Sequence, residues 1–357
     1  TVHIVIGSLF AAIVGSISFW GSIVAYVKLQ ELLNKSVEKK LVGGAKLFQI
    51  ANVLLAVASL AIAVYIGINA DPANDPTAGI WILGLLVVAG LMGLFVVLPI
   101  GGADMPVVIS LLNALTGLSA AAAGLALNNT AMIVAGMIVG ASGTILTNLM
   151  AKAMNRSIPA IVFGSFGGDG GAAGVAGATG GTVKATSSSD AAIQMAYANQ
   201  VIVVPGYGLA VAQAQHAVKE MASLLEERGV EVKYAIHPVA GRMPGHMNVL
   251  LAEAEVSYDA LKEMDDINGE FNRTDVTIVI GANDVTNPAA RHDSSSPIYG
   301  MPILNVDQSK SVIVLKRSMS SGYAGIDNPL FTADNTSMLF GDAKKMVAEV
   351  TEELKAL

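Results

Sequence analysis

Two stretches of this sequence combine residue types and spacings suited to holding phosphate. The first is QVIVVPGYGLAVAQAQ, residues 200–215. Its apolar run at 201–204 reads as a buried strand ended by Pro205. Gly206, Tyr207 and Gly208 then make a tight turn, and 209–225 has helical spacing. Strand, glycine-rich turn and helix open a dinucleotide-binding unit. The glycines let the backbone approach a pyrophosphate, and the helix start offers unpaired N–H groups. Val211 stands where G-x-G-x-x-G has its third glycine, so the helix should pack differently on its strand. Taken alone, the motif is equally compatible with a plain tight turn. The second stretch is Lys316, Arg317 and Ser318, two cations and a hydroxyl leaving a later strand. They suit a 2′-phosphate, which arginine can grip bidentately, although an exposed basic pair is the bland alternative. An NAD site would carry Asp or Glu after the second strand; here the residues are Ile236, His237 and Pro238, with no acid.

The elements that must position these groups divide by composition. The 357 residues are 53% hydrophobic and only 14% charged, against about 25% charged in an average soluble protein. Charges are sparse up to about residue 160 and ordinary afterwards, which implies a membrane domain (1–158), a linker (159–190) and a soluble domain (191–357). Cysteine is absent, so disulfides are excluded, and net charge −7 gives no reason to expect nucleic acid as a partner. The chain starts at Thr1, close to an apolar run and without a charged leader, and is expected to be truncated.

Five apolar runs, at about 4–27, 47–68, 80–98, 106–127 and 131–150, are long enough to span a bilayer, which takes about 20 residues. The first connection carries Lys28, Lys35, Lys39, Lys40 and Lys46. The second has Asp71 and Asp75 without a basic residue, and the last span exits through Lys152 and Arg156. The positive-inside rule therefore puts the lysine-rich loop and the soluble domain in the cytoplasm, at the inner (cytoplasmic) membrane. Gly117, Gly124, Gly136, Gly140 and Gly143 should pack the last two spans closely. Ser142 and Thr144 are expected to make helix–helix hydrogen bonds. Asn113, an amide in mid-span, needs a partner or water, and Asp104 sits at the cytoplasmic mouth of the fourth span.

From 164 to 190 the sequence is rich in Gly, Ser and Ala and reads as a flexible linker. Beyond it, strands expected at 201–204, 232–236, 276–280, 303–306 and 312–316 alternate with helices, and 342–357 closes as a helix. That alternation predicts a doubly wound, Rossmann-like parallel sheet, with ligand beyond the carboxyl ends of the strands. Four such ends carry unusual sequence: GYG, HPVAGRMPG, GANDVTN and KRSMSSGYAG.

These motifs, with GGADMP, KAMNRS, HPVAGRMPGHMNVLLAEA, GANDVTNPAA, NPLF and MLFGDAK, resemble the β subunit of proton-translocating NAD(P) transhydrogenase along essentially the whole chain. The resemblance implies an NADP(H)-binding soluble domain. It also implies an NAD(H)-binding alpha subunit as partner, in a complex that is a dimer as a whole, and hydride transfer between the two nicotinamides. Carried over, Gly206, Tyr207, Gly208 and Val211 form the pyrophosphate turn. Val239, Ala240, Gly241, Arg242, Met243 and Pro244 form a second cofactor loop, and Lys316, Arg317 and Ser318 hold the 2′-phosphate. Gly322, Tyr323, Ala324 and Gly325 start a lid, while Gly281, Ala282, Asn283, Asp284 and Val285 line the site. Gly300, Met301, Asp342 and Ala343 are further implied contacts. Asp284, with Asn113 and Asp104 in the membrane part, is implied in linking nucleotide state to protons. The family resembles a longer chain with spans ahead of the one at Ile4, one of them bearing a proton-path histidine; His3 is no convincing substitute. The alternative function is a channel or transporter whose cytoplasmic Rossmann-like domain senses nucleotide without turnover.

Overall fold

The structure, a computed structural model, describes residues 2–30, 32, 41, 44–69, 78–101, 104–155, 157–162, 182–241, 243, 245–296, 298–322 and 324–357. Most of the expected linker, the loop residues Lys35, Lys39, Lys40, Asp71 and Asp75, and Arg156 lie outside them. The chain forms two compact units whose boundary falls between residues 152 and 170.

The first unit is helical: α1 (Val2–Leu29), α2 (Ala45–Asn69), α3 (Ala78–Val97), α4 (Met105–Leu127), α5 (Thr130–Ala153) and the short α6 (Ile158–Val162). Among the described residues, α1 to α5 are the five helices long and apolar enough to cross a membrane. Leu54, Val57, Leu60, Ile138 and Ile145 point outward from them. Water would not tolerate such a surface, whereas hydrocarbon requires it. α1 packs on α3 and α4, and α2 on α3. Asn128 ends α4 in the left-handed region, at φ 50°, and Asn129 Oδ1 accepts the amide of Met132 at 3.1 Å to start α5. Asparagine is suited to both positions. A Cβ on Gly117 would lie 2.6 Å from the Gly140 nitrogen, and one on Gly136 2.4 Å from that of Ala121. The α4–α5 contact is thus made backbone to backbone, as the small residues imply.

The polar bonds between helices fall elsewhere than expected. Ser142 and Thr144 donate within their own helix, to the carbonyls of Val139 (3.3 Å) and Gly140 (2.7 Å). On α5 they face outward, where the i−3 or i−4 carbonyl is the nearest acceptor. Ser18 instead meets Thr116 Oγ1 (2.5 Å) and the Leu112 carbonyl (2.8 Å), Thr147 meets Ser110 (3.0 Å), and Ser119 meets the Ala11 carbonyl (2.9 Å). Asn113 is exposed on the bundle surface, and Asp104 is buried at the start of α4.

In the second unit α7 (Ser188–Ala196) precedes β1 (Gln200–Pro205), α8 (Tyr207–Ala212), α9 (Gln215–Glu227) and β2 (Glu231–Ile236). Then come α10 (His246–Glu253), β3 (Leu261–Glu263), α11 (Met264–Ile267), β4 (Val276–Ile280), α12 (Ala289–His292), β5 (Ser311–Lys316), β6 (Thr336–Phe340) and α13 (Ala343–Ala356). The strands pair in parallel in the order β3-β2-β1-β4-β5-β6, with the strand order reversing between β1 and β4. Val201, Val203, Ile278, Ile280, Ile313 and Leu315 pack on one face with Met221, Leu225, Val347 and Leu354. Ile202, Val204, Val279, Val312 and Val314 pack on the other with Phe271, Leu304, Leu330 and Phe331. Burial on both faces is why these strands read as unbroken apolar runs.

Four local readings change. Residues 303–306 form no strand: Asn268 Nδ2 donates to the Ile303 carbonyl and its Oδ1 accepts the Asn305 amide, both at 3.0 Å, and the Leu304 amide donates to the Val285 carbonyl at 2.9 Å. Two further strands, β3 and β6, were not expected; one is three residues long and charged, the other opens on two polar residues. The expected 209–225 helix breaks at Gln213, at φ 49°, into α8 and α9. Within the expected linker, Ala185 bridges Met338 on β6, with Thr186 N–H donating to the Met338 carbonyl at 2.9 Å and Met338 N–H to that of Lys184 at 2.7 Å. Ser187 then caps α7.

Candidate functional site

The unusual loops do leave the carboxyl ends of β1, β2, β4 and β5, and three of them stack at the point where the strand order reverses. The turn after β1 lies directly on the turn after β4. Gly206 N–H donates to the Ile280 carbonyl (2.9 Å), Gly208 N–H to that of Gly281 (3.0 Å), and Leu209 N–H to that of Gly206 (3.1 Å). A Cβ on Gly206 would sit 2.5 Å from Ala282 Cα, and one on Gly208 2.7 Å from Gly281 Cα. The glycines at 206 and 208 are thus required by this backbone contact. The amides of Gly206, Gly208 and Leu209 are spent inside the protein, contrary to the expected unpaired helix start. Val211 faces outward, 51% exposed.

A third layer covers the β4 turn. Asp284 Oδ2 accepts the Ala324 amide at 3.0 Å, and Gly322 lies so close that a Cβ there would be 2.6 Å from Asp284 Oδ1. Asn287 Nδ2 donates to the Asp327 carbonyl (3.1 Å), and Asn328 Nδ2 to both the carbonyl and Oδ1 of Asn283 (3.1 Å each). Beside this strap is a cavity of about 230 Å³, walled in part by Asn283, Met319, Ser320, Asn328 and Phe331. Asn283 Nδ2 is buried and has no hydrogen-bond partner among the described residues. Lys316 lies over the Phe331 ring, 4.7 Å from its centre, and donates to the Ser320 carbonyl. Burial pushes its ammonium pKa down, while the Asp284 carboxylate pulls it up. Arg317 and Ser318 are exposed.

The loop after β2 is anchored by two histidines. His237 is buried, its Nε2 2.9 Å from the Pro302 carbonyl and its Nδ1 accepting the Val239 amide at 3.2 Å. Burial lowers its pKa to about 4, against a smaller upward pull from the Pro302 carbonyl, so the ring is neutral with the proton on Nε2. Gly241, at φ +102°, leaves room for the His246 ring, which packs against Tyr207 at 6.4 Å.

The sequence profile of the NAD(P) transhydrogenase beta subunit matches residues 1–353. The chain belongs to that family. It is 56% identical over 271 residues to the NAD(P) transhydrogenase subunit beta of Rhodospirillum rubrum, a match covering 76% of this chain and 58% of that protein. The same-named protein of a designated strain of that organism matches equally. The match thus spans less than two thirds of these relatives.

For a transhydrogenase beta subunit, the residues singled out in the sequence sort into three groups. Gly206, Gly208, Gly281, Ala282, Asn283, Asp284, Gly322 and Ala324 stack together, with Lys316 at their edge and Tyr207 and Gly241 meeting through His246. Others serve the fold where they stand. Ala240, Val285, Met301 and Ala343 are buried in the core, Val239 packs against it, and Asp342 Oδ1 caps α13 by accepting the Lys345 amide at 3.2 Å. Met243 and Gly325 are exposed, as is Gly300, which turns at φ +80°. Arg242, Pro244 and Tyr323 lie outside the described residues. Sequence reasoning missed Asn287, Asn328, His246 and the role of His237. The two asparagines, each beside a proline in NPAA and NPLF, carried a readable turn signal; the histidines carried none.

Proposed function

We propose that this chain binds NADP(H) at the carboxyl ends of β1, β2, β4 and β5. In this reading it exchanges a hydride with NAD(H) held by an alpha subunit, in step with proton movement across the membrane. The observation that carries the reading is the placement of Lys316 at the end of β5 and of Arg317 and Ser318 just beyond it, beside the stacked glycine turns, while His237 replaces the acid an NAD site would carry after β2. The donor set fits a 2′-phosphorylated dinucleotide: two cations and a hydroxyl suit the phosphate, and the buried Asn283 Nδ2 is a donor with no partner among the described residues. When bound, the cofactor supplies the nicotinamide that gives or takes the hydride. The residues described here bind it and cover it.

Asp284 ties the covering strap to the β4 turn through the Ala324 amide and faces Lys316. Protonating it would weaken both attachments, and that is the route by which a proton could loosen the strap over the nucleotide. Asp104 and Asn113 are proposed for the membrane end of the same coupling. The basic Lys28 and Lys152 at helix ends favour a cytoplasmic nucleotide unit in the inner membrane, and the whole complex is proposed to be dimeric. The nucleotide-sensing channel is not favoured by the family the chain belongs to.

The test is nucleotide binding by the full chain in detergent. NADPH should bind at least about tenfold more tightly than NADH, since a single charge-assisted bond supplies that much; equal affinities would sink the reading. Adding an NAD(H)-binding partner should then give hydride exchange, which a sensor would not catalyse.

A further inference from the structure

We infer that His237 is a positioning residue whose ring joins the loop after β2 to the turn after β4, holding two walls of the proposed nucleotide site in register. The inference rests on the nucleotide reading above for its function but not for its geometry. At the carboxyl end of β2 the side chain turns inward and is 1% exposed. Nδ1 accepts the Val239 amide (3.2 Å), at the root of the 239–245 loop, and Nε2 meets the Pro302 carbonyl (2.9 Å), 65 residues away in sequence. A carbonyl can only accept, so Nε2 is the donor, and both ring nitrogens are committed.

The far end of this brace is itself fixed. Asn268 Nδ2 holds the Ile303 carbonyl at 3.0 Å, and the Leu304 amide donates to the Val285 carbonyl at 2.9 Å. The path therefore runs from the 239–245 loop through His237 to 302–304, and from there to Val285 in the β4 turn. The local turn does not need the second bond, because Ala240 N–H already closes it on the His237 carbonyl at 2.9 Å. What the Nε2 bond adds is a connection between segments that adjoin different strands.

The two ring nitrogens can be separated by substitution. His237→Gln places an amide donor near the Nε2 position and keeps the reach to Pro302. His237→Asn keeps an acceptor for the Val239 amide and loses that reach. The readouts, on the full chain in detergent, are hydrogen exchange of amides 239–246 and NADPH affinity, with exchange of β4 confirming that each variant is folded. His237→Asn should speed exchange across 239–246 and weaken NADPH about tenfold, the cost of one buried hydrogen bond. His237→Gln should restore both to within about threefold of the parent chain. An Asn variant that behaves like the parent, or a Gln variant as impaired as Asn, overturns the brace. If exchange responds as expected while the parent chain shows no NADPH preference, the nucleotide reading fails and the brace stands.

Discussion

At the scale of single residues, charge and protonation decide the behaviour of this site. Arg317 is exposed while Lys316 is drawn over Phe331 and toward Ser320, so the two cations are not equivalent. Replacing both with alanine should remove most of the NADPH preference, about 1.5–3 kcal/mol for each charge-assisted bond lost, while NADH binding changes little. Isothermal titration with both nucleotides would decide it, and an undiminished preference would place the 2′-phosphate elsewhere. His237 governs stability against pH. Its pKa is about 4 in the folded chain and about 6.5 when unfolded. The neutral ring's contribution is complete above about pH 6.5 and is lost progressively as pH falls toward 4, on the order of 3 kcal/mol in all. Denaturant melts of the parent and His237→Gln between pH 4 and 7 should show a slope that the variant lacks. Parallel curves would count against burial as the cause.

At the scale of elements, the decisive features are breaks and closures that composition does not announce. The helix after β1 stops at Gln213 because that residue is left-handed, with Ala214 N–H returning to the Leu209 carbonyl at 3.1 Å. A side chain pays roughly 1–2 kcal/mol for this conformation. Gln213→Gly should therefore leave the melting temperature unchanged or raise it, whereas Ala217→Gly inside α9 should cost about 1 kcal/mol. A clear loss of stability from Gln213→Gly would show that its side chain makes a contact worth more than the strain. The far edge of the sheet is closed by 184–186, which bridge to Met338 on β6 and cover an edge that would otherwise be free to pair.

At the scale of the molecule, two units with separate cores imply separable folding. A fragment from Thr182 to the C-terminus contains the complete sheet, both of its packed faces and its edge closure. It should unfold in one cooperative transition and retain nucleotide binding. A fragment starting at Ser187 keeps the cap of α7 but loses the two backbone bonds to Met338 and should be less stable by about 1–3 kcal/mol. Equal stabilities would make the bridge incidental. The membrane unit makes the opposite demand of its solvent: its outward leucines, valines and isoleucines are satisfied only by lipid or detergent.

Read alone, the sequence determined the five spans, the α/β alternation and the strand ends that carry the candidate site, because each is a local property. Long apolar runs must leave water, buried strands must be apolar throughout, and glycine beside a strand end marks a turn. The tertiary structure decided which of those groups meet. Gly206 and Gly208 read as a cradle for phosphate, and the fold packs them tightly against Gly281 and Ala282. Ser142 and Thr144 read as links between helices and bond within their own. Asn268 and the Val285 carbonyl hold the backbone of 303–305, so an apolar run suited to a strand remains a loop. His237, noticed only for the acid it replaces, turns inward to Pro302. Apart from Ser142 and Thr144, whose partners lie one turn back on the same helix, the deciding partner is distant in sequence, and hydrogen-bonding groups take the nearest partner in space, which spacing along the chain does not encode.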